Sequence, residues 1–162
     1  MFDVKNFTDN NDIRIYTDGK EKFKALLWEM EHARSYIHLQ YYIIKRDELW
    51  KQIEEVLIRK ARQGVEVRVL FDSMGCRTMH NKDWERLEAE GIHVAEFFPA
   101  VLGKLQLRVN YRNHRKIAVI DGRIGFVGGF NIGREYLGRD PKFGYWRDTH
   151  ICLEGSAVLS LA

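Results

Sequence analysis

Along the first hundred residues, short stretches of alternating or continuous apolar positions take turns with stretches where apolar residues recur every three or four. In NDIRIYTDG, Ile13 and Ile15 alternate with polar neighbours ahead of Asp18-Gly19, which predicts a short strand and a turn. From Lys20 to Arg34, the residues Phe23, Leu26, Leu27, Met30 and Ala33 fall on one side of a 3.6-residue period and predict an amphipathic helix. SYIHLQYYII is aromatic and β-branched, as a buried strand is. Asp47 is placed to cap a second helix running to about Gln63, with Leu49, Ile53, Val56, Leu57 and Ile58 on its apolar side and Gly64 just beyond its end. VEVRVLFD predicts another strand, Met79 to Glu90 a helix ended by Gly91, and IHVAEFF a strand stopped by Pro99.

The order β-α-β-α-β-α-β predicts an α/β fold, a parallel or mixed β-sheet sandwiched between α-helices. After residue 99 the rhythm changes. Residues 99–110 read as an irregular basic loop. HRKIAVIDG and IGFVGG predict two strands joined at Asp121-Gly122, a hairpin signal. Residues 131–146, rich in glycine, arginine and aromatics, read as a long loop, and THICLEG as a last strand. SAVLSLA starts an apolar helix that breaks off in its second turn, so residues 1–162 are expected to be one domain cut from a longer protein.

Composition narrows the class. Apolar residues make up 45% and charged residues 30% of the 162 positions, which excludes disorder and low complexity. Cys76 and Cys152 form no CxxC pair, and Cys76-x3-His80 offers too few ligands for a metal, so neither metal nor disulfide framework is expected. With no 18-residue apolar run and no signal-peptide layout at the start, this chain itself is expected to be soluble. A net charge of +3 does not argue for a nucleic-acid arm. The charge is uneven, however: between Phe97 and Ile120 stand Lys104, Arg108, Arg112, Arg115 and Lys116 and no acid, a stretch suited to an anion.

The residues able to do chemistry lie at the end of that stretch. In a strand, His114 and Lys116 point to one face, together with Ala118. Two polar groups at the start of an otherwise apolar strand make sense where that end opens onto a pocket. Gly128-Gly129-Phe130-Asn131 closes the next strand; glycines there allow close approach of a ligand and free N–H groups to point at it, and Asn131 adds an amide. An imidazole, an ammonium, an amide and N–H donors suit attack on a phosphodiester: neutral imidazole is a nucleophile near pH 7, and the donors neutralise phosphoryl oxygens without a metal or other cofactor. Taken singly, each of these residues reads as surface or turn. Tyr41 and Tyr42 read as core packing, with lining of a lipid groove as the alternative.

The combined spacing, HxK, four residues, Asp, six residues, Gly-Gly-x-Asn, resembles the signature of the phospholipase D superfamily, matched by His114, Lys116, Asp121, Gly128, Gly129 and Asn131. YYIIKRDELW, GVEVRVLFDSMG, RNHRKIAVIDGRIGFVGGFNIG and GYWRDTHICLEG resemble the bacterial cardiolipin synthases, and the likeness runs from about Ile13 to the end, matching the first of two catalytic halves. The resemblance implies His114 as the nucleophile that forms a phosphohistidine. It implies Lys116 and Asn131 on the phosphate oxygens, with Gly128, Gly129 and Arg112 beside the substrate. Asp121 would be a structural member of the motif, and its place ahead of Gly122 independently favours turn capping. Asp148 matches the family acid that orients the imidazole; a salt bridge with Arg147 or Arg134 is the plainer alternative. The family site needs two HxK motifs, and one complete motif is present here, so a second half or a second copy must supply the other. The expected activity is a phosphatidyltransferase, moving a phosphatidyl group from one phosphatidylglycerol to another at the bacterial cell membrane and releasing glycerol. The alternatives are a homodimeric phosphodiesterase (phospholipase D or nuclease, with nucleic acid the less favoured substrate) and an inactive half-module.

Overall fold

The computed structural model describes residues 8–97 and 112–161. A seven-stranded mixed sheet runs through the molecule in the order β1-β7-β6-β5-β2-β3-β4. The strands are β1 (Asn11–Asp18), β2 (Tyr36–Tyr41), β3 (Glu66–Asp72), β4 (His93–Phe97), β5 (Lys116–Ile120), β6 (Ile124–Gly128) and β7 (Arg147–Gly155). β2, β3 and β4 are parallel neighbours, while β2–β5, β5–β6, β6–β7 and β7–β1 are antiparallel. The α/β reading of the sequence therefore holds: the crossovers come first and the hairpins follow.

Helices α1 (Gly19–Glu31), α2 (Glu48–Arg62) and α3 (Asn81–Ala89) make those crossovers. Asp47 caps α2 through its side chain, accepting from Leu49 N and Trp50 N, and Gly64 and Gly91 take the positive φ that ends α2 and α3. Asp18-Gly19 departs from its predicted use as a turn. β1 runs straight into α1, and the Asp18 carboxylate caps the helix by accepting from Lys20 N and Glu21 N.

One core unites the helices with a single face of the sheet, formed by Ile37 and Leu39 of β2, Val67 and Val69 of β3, Ala118 of β5 and Phe126 of β6. Trp84 of α3 stacks on Phe71, 4.0 Å between ring centroids, and meets Trp50 of α2 edge-on. On the other face, the 3-10 helix Ser156–Ser160 brings Val158 against the bare Cα of Gly125. Among the described residues no helix is long and apolar enough to cross a membrane. Pro99, Lys104 and Arg108 of the predicted basic loop fall outside the described residues.

Candidate active site

The topology gathers the ends of β2, β3 and β6 and the starts of β5 and β7 at one edge of the sheet. Tyr41 pairs with Lys116 across β2 and β5, and Gly128 with His150 across β6 and β7. Lys116 opens β5 with its side chain 3% exposed, and His114 stands just ahead of the strand, open to solvent. The Lys116 ammonium donates to the His114 carbonyl at 2.7 Å and lies 2.8 Å from Nδ1 and 3.3 Å from Nε2 of the imidazole. Tyr42 walls this pair: its ring centroid is 4.5 Å from that of His114 and 5.4 Å from Lys116 Nζ. Tyr41 is core packing, as expected, whereas Tyr42 is part of the site.

Electrostatics suit the two residues to different tasks. Burial, then the Lys116 charge, lowers the His114 pKa from its usual value, opposed by Asp72. The imidazole is thus held neutral at pH 7, with a lone pair to offer. Burial lowers Lys116 to about 8, opposed by the charge of Asp148. It is still largely an ammonium at neutral pH.

The two glycines serve a purpose other than the predicted one. A Cβ on Gly128 would stand 2.5 Å from His150 Cα, and one on Gly129 2.0 Å from Asp148 Oδ1. They are needed because His150 and the Asp148 carboxylate lie directly on their backbone. The Gly129 N–H is not free for a ligand; it donates to Thr149 O at 2.8 Å. Asn131 is likewise engaged. Its Oδ1 accepts from Ile43 N at 3.0 Å and its Nδ2 donates to Tyr136 Oη at 3.1 Å, tying the segment after β2 to the 3-10 helix Arg134–Leu137. One of its two amide hydrogens is thereby spent.

Asp148 and Asp121 sit differently from what the resemblance implies or the turn suggests. Asp148 Oδ1 accepts from Thr149 N at 2.7 Å, and its charge acts on Lys116. Lys116 Nζ faces His114 Nδ1, and the charge of Asp148 acts on that lysine. The alternative salt bridge to Arg134 is not formed either, since Arg134 pairs with Asp140 at 3.5 Å. Asp121 lies at the opposite end of β5 and never meets the site. It caps a different segment from its own turn: its carboxylate accepts from Arg34 N, Ser35 N and Tyr36 N at 2.8, 2.7 and 2.9 Å. Burial would raise its pKa, but the N–H groups of Tyr36, Ser35 and Arg34 win and hold it below the usual carboxylate value. Asp121 and Gly122 both take positive φ, the hand of a primed hairpin turn.

Arg112, expected on the substrate, has Nη1 3.7 Å from Oδ1 of Asp72. Asp72, at the end of β3, is one of three polar residues at or beneath the site that sequence reasoning passed over. Its signal was faint, a lone acid closing an apolar strand. The others are Lys22 and His150, both buried. Lys22 Nζ donates to Tyr41 Oη at 2.9 Å and lies 3.8 Å over the Phe23 ring, and burial lowers its pKa well below the usual value. His150 has no hydrogen-bond partner for either ring nitrogen among the described residues. Burial, then the charges of Lys22 and Lys116, push it down to about 2. His80-Asn81-Lys82 repeats the HxK spacing, yet His80 only begins α3, its N–H bonded to Asp83 Oδ2 at 2.9 Å.

A phospholipase D-like fold with one histidine-lysine pair at the sheet edge is the class these features define, and residues 26–141 match the family described as "Cardiolipin synthase, PLD-like domain", to which the chain belongs. It is 55% identical over 152 residues to the major cardiolipin synthase ClsA of Bacillus subtilis (strain 168), covering 94% of this chain and 32% of that protein. The chain thus spans about a third of the length of the curated relatives it matches. Solved structures share the fold. Phosphatidylserine synthase of Haemophilus influenzae Rd KW20 superposes with a TM-score of 0.68 at 16% identity, over 91% of this chain and 34% of that one. Nuc of Salmonella typhimurium, a phospholipase D family member, gives 0.65 at 15% identity, over 94% and 88%.

Proposed function

We propose that this chain is one catalytic half of a cardiolipin synthase, in which the His114 imidazole attacks the phosphorus of phosphatidylglycerol. The P–O bond to the terminal glycerol breaks, a phosphohistidine forms, and glycerol leaves after its oxygen takes a proton from the histidine of a second motif. A hydroxyl of a second phosphatidylglycerol then attacks that phosphorus and returns its proton to the same histidine. The P–N bond breaks, and cardiolipin and free His114 result. Lys116, joined by the remaining amide hydrogen of Asn131, neutralises the phosphoryl oxygens as charge builds. The observation that carries this reading is the pairing of an exposed imidazole, kept neutral, with a buried ammonium 2.8 Å away. Arg115, exposed beside them, suits an anionic bilayer surface.

The test uses the full-length protein in phosphatidylglycerol vesicles carrying a label on the phosphatidyl group. Label is expected on His114 after an acid-free quench, and none on the His114→Ala protein. Covalent label persisting in that variant's first half would remove His114 as nucleophile.

One observation favours a second reading. This chain covers 88% of Nuc, so a single such domain makes up nearly all of that protein. Two copies of this chain would then bring two motifs together as a phosphodiesterase. Light scattering separates the two: a stable dimer supports the homodimer, a monomer the half-enzyme.

A further inference from the structure

Asp72 is the last residue of β3, and its side chain is fully shut off from solvent. Its Oδ1 accepts from Met74 N at 2.9 Å, which any acid opening a turn would do. The second oxygen is harder to explain as turn chemistry. Oδ2 accepts from Asn113 N at 3.3 Å, a residue 41 positions away and immediately ahead of His114. Residues 112–115 belong to no strand, so the sheet ladder does not hold them in place. β3 is also not the neighbour of β5; β2 lies between them. The carboxylate therefore reaches past the end of β2 to grip the backbone that presents the imidazole, and the Arg112 guanidinium sits alongside at 3.7 Å.

Burying a carboxylate is expensive, and an uncharged residue would cap the same turn. The charge itself has a place to act. When a ring nitrogen of His114 bonds to phosphorus, the ring becomes cationic and an anion nearby stabilises it. Against that ring stand Lys116 of β5 and Tyr42, just after β2, and the charge of Asp72 from β3, with Arg112 beside it, bears on the ring from behind the Asn113 backbone. Asp148 of β7 is engaged with Thr149 N and acts on Lys116. Among the described residues, Asp72 is thus the acid whose charge bears on the His114 ring.

We propose that Asp72 is the positioning residue of His114: it clamps the backbone at Asn113 and supplies the negative charge against which the phosphorylated imidazole forms. The proposal rests on His114 being the nucleophile, but it makes a statement about placement that is measurable without turnover. The His114 ring protons are followed by NMR against pH in the 162-residue chain, in Asp72→Asn and in Asp148→Asn. Asp72→Asn is expected to lower the His114 pKa by about half a unit or more, and to move the Asn113 amide resonance. Asp148→Asn is expected to shift His114 less than Asp72→Asn does. An unchanged His114 pKa in Asp72→Asn, or a larger shift in Asp148→Asn, overturns the proposal. Should Asp72→Asn fail to fold, the unsubstituted chain still answers. Its Asn113 amide should exchange with solvent at least about tenfold more slowly than a free amide, and free exchange there removes the clamp. Loss of the covalent label assignment to His114 would instead sink the nucleophile reading and leave the titration result standing.

Discussion

The two ends of the β5–β6 hairpin carry two halves of one sequence motif and could hardly be more different. At the turn, the Asp121 carboxylate is held by three backbone N–H groups leading into β2. At the open end, Lys116 is buried without a carboxylate in hydrogen-bond contact among the described residues, and its pKa is lowered to about 8. A carboxylate so bonded stabilises a fold, whereas a buried ammonium that meets the neutral imidazole and carbonyl of His114 keeps its charge for an anion. The motif therefore spans a scaffold and a reacting centre, joined by five residues of strand.

That contrast makes predictions of different kinds at the two ends. The largest effect belongs to the open end. His114→Ala in the full-length protein should lower kcat by roughly 10³-fold or more, with Tm unchanged because the side chain is exposed. Asp121→Ala should do the reverse. Loss of three charge-assisted hydrogen bonds should cost on the order of 2–4 kcal/mol in urea unfolding, while the residual folded enzyme still accepts label on His114. A fall in kcat with unaltered stability would erase the distinction between the ends. Gly129→Ala tests the boundary between them, since its methyl would displace the Asp148 carboxylate. A cost of about 1–3 kcal/mol is expected, with a further fall in the Lys116 pKa as the opposing charge moves off.

Two smaller effects concern protons. His150 binds a proton below about 6.5 when unfolded, but in the fold only near 2. The unfolded chain thus binds more protons across that window, and stability should fall by about 1.4 kcal/mol for each pH unit below 6. His150→Leu should flatten that limb, and an equally steep limb in the variant would assign it to other groups. Lys116 loses its charge as pH rises through about 8. Binding of inorganic phosphate to the 162-residue chain, followed by the His114 resonances, should weaken several-fold between pH 7 and 9. Affinity independent of pH would place the anion elsewhere.

Much of the scaffold was legible because it is written locally. The apolar period of α1 and α2, the Asp47 cap, the glycines after α2 and α3 and the Asp121-Gly122 turn all depend on residues within a turn of one another. Asp18-Gly19 misled for the same reason: an acid before glycine signals turn and helix cap alike, and only the helix that follows decides. In the site, motif spacing pointed to His114, Lys116 and Asn131; the structure puts Lys116 alone inside a strand, with His114 just ahead of β5 and Asn131 beyond β6. Spacing missed what crosses the chain. Asp72 meets Asn113 only because β2 and β3 end together, and Asp121 finds its donors 85 to 87 residues away. Lys22 and His150 look like ordinary polar residues until the packing of α1 on the sheet shuts out water. The glycine pair was noticed, yet its reason lies in Asp148 and His150, which no pattern around Gly128 reveals.

The pairing of β1 with β7 bears on how the chain reaches this state. Asn11 lies opposite Gly155 and Asp18 opposite Arg147, so β1 pairs with the strand farthest from it along the described residues. Contacts that distant in sequence slow the search for the native state. During synthesis β1 waits, its hydrogen-bonding groups facing water or a chaperone, until nearly the whole domain has left the ribosome. α1, fused to β1 through the Asp18 cap, carries Lys22 with it. During synthesis the bed beneath the histidine-lysine pair can therefore be completed only once β7 has been made, and a truncated chain lacking β7 would leave that bed unbuilt.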